Sequence, residues 1–123
     1  MRFISTRIHG VLDYIVGIVL ILAPWILGFA RGGAETWVPV IIGALIIVYS
    51  LMTDYELGAV KAIKMPTHLV FDGIAGLFLA ISPWLFGFAY FVWVPHLLIG
   101  ILGICAAIFT QKVPSYGRMP RAM

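Results

Sequence analysis

Two stretches decide how this chain is read: HGVLDYIVGIVLILAPWILGFA, residues 9–30, and HLVFDGIAGLFLAISPWLFGFA, residues 68–89. Aligned at an offset of 59 they agree at 11 of 22 positions: His, Val, Asp, Ile, Gly, Leu, Pro, Trp, Gly, Phe and Ala. Shared apolar composition rarely matches His, Asp, Pro and Trp together, so the chain is an internal duplication. Farther on, Trp37-Val38-Pro39 matches Trp93-Val94-Pro95, after loops that differ by three residues. Each unit is an apolar helix, a short turn and a second apolar helix.

The solvent follows from composition. Of 123 residues, 63% are apolar and 11% charged, and mean hydropathy is +1.09. Soluble domains carry about a quarter charged residues, so this chain is solvated by lipid. A helix needs roughly 20 apolar residues to cross the hydrocarbon core. Spans are predicted at about 7–28, 37–53, 67–86 and 94–111, the last two separated at Pro83-Trp84-Leu85-Phe86-Gly87 within a stretch free of charged residues. The fold expected is an all-α membrane domain of four transmembrane helices, with repeat one at about 7–55, repeat two at about 66–111 and a mobile tail at 112–123. Both hairpins enter from the same side, so a pseudo-twofold axis along the membrane normal relates them.

Arg2, Arg7, Lys61, Lys64, Lys112, Arg118 and Arg121 share one face with the termini and the central loop, and only Arg31 lies opposite. The positive-inside rule makes the crowded face cytoplasmic. Trp25, Trp37, Trp84 and Trp93 flank the two outer loops, where an indole favours the headgroup level. A net charge of +3 spread over ends and loop is no nucleic-acid patch. The first helix is not a cleaved signal, because the third repeats its pattern.

The corner of each unit reads Ala23-Pro24-Trp25-Ile26-Leu27-Gly28-Phe29 and Ser82-Pro83-Trp84-Leu85-Phe86-Gly87-Phe88. Here the chain resembles the SPW repeat family of small bacterial and archaeal membrane proteins, over nearly everything from His9 to about Phe109. The resemblance implies a paired-helix membrane fold and names no activity. The first copy departs from the motif at Ala23. Physically, Pro24 and Pro83 bend or end their helices, Trp25 and Trp84 anchor them, and Gly28 and Gly87 permit the reversal, with Phe29 and Phe88 as apolar caps. Pro39 and Pro95 suit the first turn of the returning helix. Gly10, Gly17, Gly73, Gly76, Gly100 and Gly103 are expected in close helix seams.

The polar constellation is His9-x-x-x-Asp13 and His68-x-x-x-Asp72, each pair sharing one helix face. An Asp at mid-membrane costs about 2.5–3.5 kcal/mol on insertion scales, so two of them require an explanation. Three readings compete. Each Asp accepts a hydrogen bond from its own His or a neighbouring helix and holds the bundle; or the four residues converge to bind a divalent metal or relay protons; or they meet a partner protein, a lipid headgroup or a quinone-like ligand. His96, facing Val40 in the alignment, is expected at the outer interface. Asp54, Tyr55, Glu56, Lys61 and Lys64 are expected in a solvated loop, and Cys105 as a small core residue.

No nucleophile elbow, phosphate loop, cysteine–histidine spacing or cofactor motif occurs, so no cofactor is expected. The leading expectation is a non-enzymatic accessory, scaffold or membrane-organising protein, with the lipid bilayer as its partner and a homo-oligomer or larger complex left open. The alternative is a small proton- or cation-conducting module using the His–Asp pairs.

Overall fold

The computed structural model describes residues 2–114. The expectation of a mobile cytoplasmic tail therefore lies, beyond Pro114, outside the described residues. Four helices follow one another: α1 (Thr6–Ile26), α2 (Ala34–Leu51), α3 (Met65–Leu85) and α4 (Val94–Phe109). α1 with α2 and α3 with α4 form two close-packed hairpins, which meet through α2 and α3. The first three helices are long and apolar enough to cross a bilayer, and α4, at 16 residues, is shorter. The chain is a helical membrane protein built of two hairpins.

The hairpins close on glycine. A Cβ on Gly17 would meet the Gly43 carbonyl oxygen and Ile47, and one on Gly76 would meet the Gly100 carbonyl oxygen and Ile104. The same backbone-to-backbone approach thus occurs in each repeat, which is how helices without a hydrophobic drive between them gain contact. Gly73 departs from the expected seam, since nothing lies within 4 Å of its would-be Cβ. Gly10 packs instead against Tyr55 and Leu57. The outward faces carry Ile8, Ile15, Leu22, Ile74, Leu77 and Leu98, all exposed, as a lipid-facing belt should be.

Both corners fold alike. Pro24 accepts backbone bonds from Phe29 and Ala30, and Pro83 accepts them from Phe88 and Ala89. Gly28 at φ 76° and Gly87 at φ 75° supply the left-handed turn. Phe29 and Phe88 are buried, as caps. Each proline also removes the donor for the carbonyl four residues earlier, which are those of Leu20 and Leu79. Ser82 Oγ donates to the Leu79 carbonyl at 2.7 Å, and Ala23 has no hydroxyl to do the same for Leu20. The serine of the Ser-Pro-Trp motif thus compensates its own proline, and the corner folds without it.

Two expectations about α2 and α4 need correcting. Pro39 does not sit in the first turn, because α2 starts earlier, at Ala34. Inside the helix it frees the Glu35 carbonyl, and His96 Nε2 donates to that oxygen at 3.0 Å. His96 is therefore no outer interface residue. It is 1% exposed and lies between Phe29 and Phe88, with ring centroids 5.2 and 4.9 Å away. Nearby, Trp25 pairs with Trp37 and Trp84 with Trp93, one pair per hairpin. Arg31 reaches across to the second repeat's turn, its guanidinium 3.5 Å from the Phe91 ring centroid.

At the end that carries the inter-repeat link, each helix lead pairs with the other repeat's trailing end. Ile4 forms a parallel bridge with Thr110, and Ile63, its counterpart at offset 59, forms one with Thr53. The first bridge, through Ile4 N to Phe109 O and Gln111 N to Ile4 O at 2.9 and 2.8 Å, stops α4 at Phe109 short of the expected 111. The link is solvated at Lys61 and Lys64 and half-buried at Asp54 and Glu56, but not at Tyr55. Tyr55 is 0% exposed, with its phenol pKa pushed up by burial; Thr6 Oγ1 donates to Glu56 at 2.6 Å and Lys61 Nζ to the Tyr55 carbonyl at 2.8 Å. Cys105, expected in the core, is exposed.

The glycine contacts generate a contrast: Gly17→Leu and Gly76→Leu should each destabilise the protein by about 1–3 kcal/mol, whereas Gly73→Ala should stabilise it by up to about 1 kcal/mol. Unfolding midpoints in mixed micelles check this. By the same measurement, Ser82→Ala should lose about 0.5–1.5 kcal/mol, and Ala23→Ser should recover a similar amount at the other corner.

Candidate functional site

The four polar residues expected to matter converge. His9 and Asp13 lie on the first turns of α1, and His68 and Asp72 on those of α3, all buried. Their i, i+4 spacing puts each pair on one face, and the packing turns that face toward the opposite helix. The shortest contacts are between repeats: His9 Nε2 to Asp72 Oδ2 at 2.5 Å and His68 Nε2 to Asp13 Oδ2 at 2.6 Å. Contacts within a repeat are longer, His9 to Asp13 at 3.2 Å and His68 to Asp72 at 3.1 Å. The four atoms form a ring of alternating nitrogen and oxygen. Of the two partners the sequence left open for each Asp, its own His or a neighbouring helix, the hydrogen bonds go to the neighbouring helix, an exchanged pairing.

The threonines of the bridges orient the imidazoles. Thr53 Oγ1 donates to the Tyr49 carbonyl and Thr110 Oγ1 to the Ala106 carbonyl, each at 2.6 Å. Their single protons are thus committed, so each oxygen accepts from a histidine Nδ1–H: His68 at Thr53 and His9 at Thr110, both at 2.7 Å. With Nδ1 carrying a proton, Nε2 faces the carboxylates. Contacts of 2.5 and 2.6 Å between N and O each require one proton. Two protons shared by two imidazoles and two carboxylates leave the ring electrically neutral, which is the arrangement a low-dielectric site favours.

The four residues are also a ligand set for a metal ion, with one ligand atom from each lying within 4.8 Å of the others. Tetrahedral zinc, at about 2.0–2.1 Å from each ligand, sets ligand atoms roughly 3.3 Å apart. The closed ring is tighter than that at every N–O edge. An ion would have to replace both protons and spread the side chains by several tenths of an ångström.

The ring's surroundings are unequal. Tyr49 donates its hydroxyl to Asp72 Oδ1 and packs its ring on His68 and Phe71, at centroid distances of 5.0 and 5.5 Å. Ser50 Oγ reaches Asp13 Oδ2 at 3.4 Å. Thr53, Thr110, Tyr49 and Ser50 were missed in the sequence. The signal available for the threonines was their place, one hydroxyl ending each apolar run at an offset of 57. The tyrosine and serine, matched by Ala106 and Ala107 at that offset, carried none.

The SPW repeat domain matches residues 7–110, and the chain belongs to that family. Neither a curated protein nor a solved structure matches it.

The exchanged pairing is measurable. Double-mutant cycles on unfolding in mixed micelles should give a coupling of about 0.5–3 kcal/mol for His9→Ala with Asp72→Ala and for His68→Ala with Asp13→Ala. The within-repeat cycles, His9 with Asp13 and His68 with Asp72, should give less.

Proposed function

We propose that this protein is a non-enzymatic, membrane-organising scaffold whose two hairpins are clasped by the protonated His–Asp ring. The observation that carries this reading is the exchange itself, in which each repeat's carboxylate is satisfied by the other repeat's imidazole. A pseudo-twofold axis along the membrane normal, between α1 and α3, accounts for the doubling of every contact in the ring and the bridges. The ring end, with the link, faces the cytoplasm in keeping with the lysine and arginine bias, and the paired tryptophans lie at the outer interface.

A conducting role has less support. Beyond the ring the core is made by Leu20, Ile42, Ile46 and Leu79, all buried. These four also line a cavity that opens beside Asp13 and whose walls past the ring are apolar but for the Cys105 thiol. A proton path would therefore lack relay groups to the far side, whereas a clasp needs only to be closed. Proteoliposomes loaded with a pH-sensitive dye decide between the two. Under an imposed potential the wild-type protein should give no proton flux above protein-free vesicles, while Asp13→Asn and Asp72→Asn lower its unfolding midpoint. Flux through the wild type that Asp72→Asn abolishes would overturn the scaffold reading. Convergence of two imidazoles and two carboxylates favours one further reading, a resident divalent ion. Elemental analysis of protein purified without chelator should find no stoichiometric metal, and one equivalent lost in His9→Ala would replace the protons with an ion.

A further inference from the structure

The duplication offers an internal template for an open place beside the ring. The later parts of α2 and α4 correspond at an offset of 57, one more than at their starts: Gly43 and Gly100 lie in the hairpin seams, and Thr53 and Thr110, at the histidines, donate to the carbonyls of Tyr49 and Ala106. Tyr49 then corresponds to Ala106, and Asp72 to Asp13. Beside Asp72 stands a phenol whose hydroxyl donates to Oδ1. At the place equivalent to Tyr49 stands Ala106, which lines one cavity with Asp13. Asp13 Oδ2 accepts from His68 and Ser50, and among the described residues no donor reaches Oδ1.

This flank opens into a cavity of about 270 Å³ that runs from the ring to the aliphatic core at Leu20, Ile42, Ile46 and Leu79. His9, Asp13 and Asp72 line its polar end, and Leu12, Val16, Leu102, Gly103, Ala106 and Phe109 are among the apolar groups of its walls. An apolar cavity of roughly 150 Å³ already accepts a benzene ring, so this one has room for a substituted ring. Leu12, Leu102 and Cys105 on its lining are exposed between α1 and α4, on faces that a bilayer would cover. A ligand would therefore enter sideways, from the hydrocarbon.

We propose that this cavity binds a lipid-soluble phenol, whose ring takes the place that Tyr49 occupies in the other repeat and whose hydroxyl donates to Asp13 Oδ1. The chemistry is read from the protein's own solution at the equivalent position. A donor is required because the carboxylate oxygen accepts only, and an apolar ring is required because the walls past the ring end are apolar but for the Cys105 thiol. The inference does not depend on the scaffold reading, since a clasped or a conducting protein would carry the same cavity.

The test is fluorine NMR of 4-fluorophenol titrated with the full chain in detergent micelles, with 4-fluoroanisole as the matched ether that lacks the donor. The wild-type protein should shift or broaden the phenol resonance saturably, beyond the effect of empty micelles. The ether should bind about tenfold more weakly or less, because it forfeits a hydrogen bond to a carboxylate. Ala106→Tyr should abolish phenol binding by filling the cavity with the chain's own ring. Equal binding of the ether, no saturable effect in the wild type, or undiminished binding by folded Ala106→Tyr protein would each overturn the proposal. The ether comparison uses the wild-type chain alone, so it stands whether or not the variant folds.

Discussion

Two buried carboxylates must be neutralised where water is scarce, and the remainder of this small bundle is arranged around the way that is done. An Asp costs about 2.5–3.5 kcal/mol at the centre of a span and less toward its end, where these two lie, and an ionised pair of them on facing helices would repel as well. Two protons held between two imidazoles and two carboxylates remove both problems at once. Because the shortest bonds run from one repeat to the other, neither hairpin can satisfy its own acid as well alone. The same proximity that solves the charge problem therefore joins the hairpins. The parallel bridges Ile4–Thr110 and Ile63–Thr53 matter for the same reason, since they carry the threonine hydroxyls to the back of each imidazole.

A second constraint is that lipid cannot satisfy backbone groups that the helices leave open. Three of the prolines sit inside helices, and two of the carbonyls they free are met by side chains. Ser82 serves the Leu79 carbonyl from its own helix, and His96 serves the Glu35 carbonyl from the other hairpin. The latter bond places an imidazole between Phe29 and Phe88, the two aromatic caps of the corners. Each end of the bundle is thus closed by histidine chemistry, in one case by the ring and in the other by a lone residue with an apolar setting. Between them the core is aliphatic and narrow, and the hairpin seams depend on glycine.

The repeats have kept their clasp and lost their equality elsewhere. Tyr49 and Ser50 stand against Ala106 and Ala107, Ser82 against Ala23, and α4 is shorter than α2. At one acid the phenol of Tyr49 fills the flank. At the other the flank is a cavity.

The sequence by itself determined the elements of the fold: four apolar helices, two corners at Pro24-Trp25 and Pro83-Trp84, and left-handed turns at Gly28 and Gly87. These are local consequences of hydropathy, of a missing N–H and of a missing Cβ, and the repeat doubled each signal. It also singled out His9, Asp13, His68 and Asp72, because an acid is conspicuous in an apolar run. It left open which His serves which Asp. Spacing of i, i+4 shows that two side chains share a face, and says nothing of what the face meets. His96, Tyr55 and Pro39 were misplaced for a related reason, since each is defined by a partner or a helix start that lies elsewhere in the chain. The exchanged ring, the threonines behind it and the cavity beside Asp13 are products of helix-to-helix distance. Only the tertiary structure decides that, because residues 15 to 101 positions apart become neighbours only when the hairpins pack.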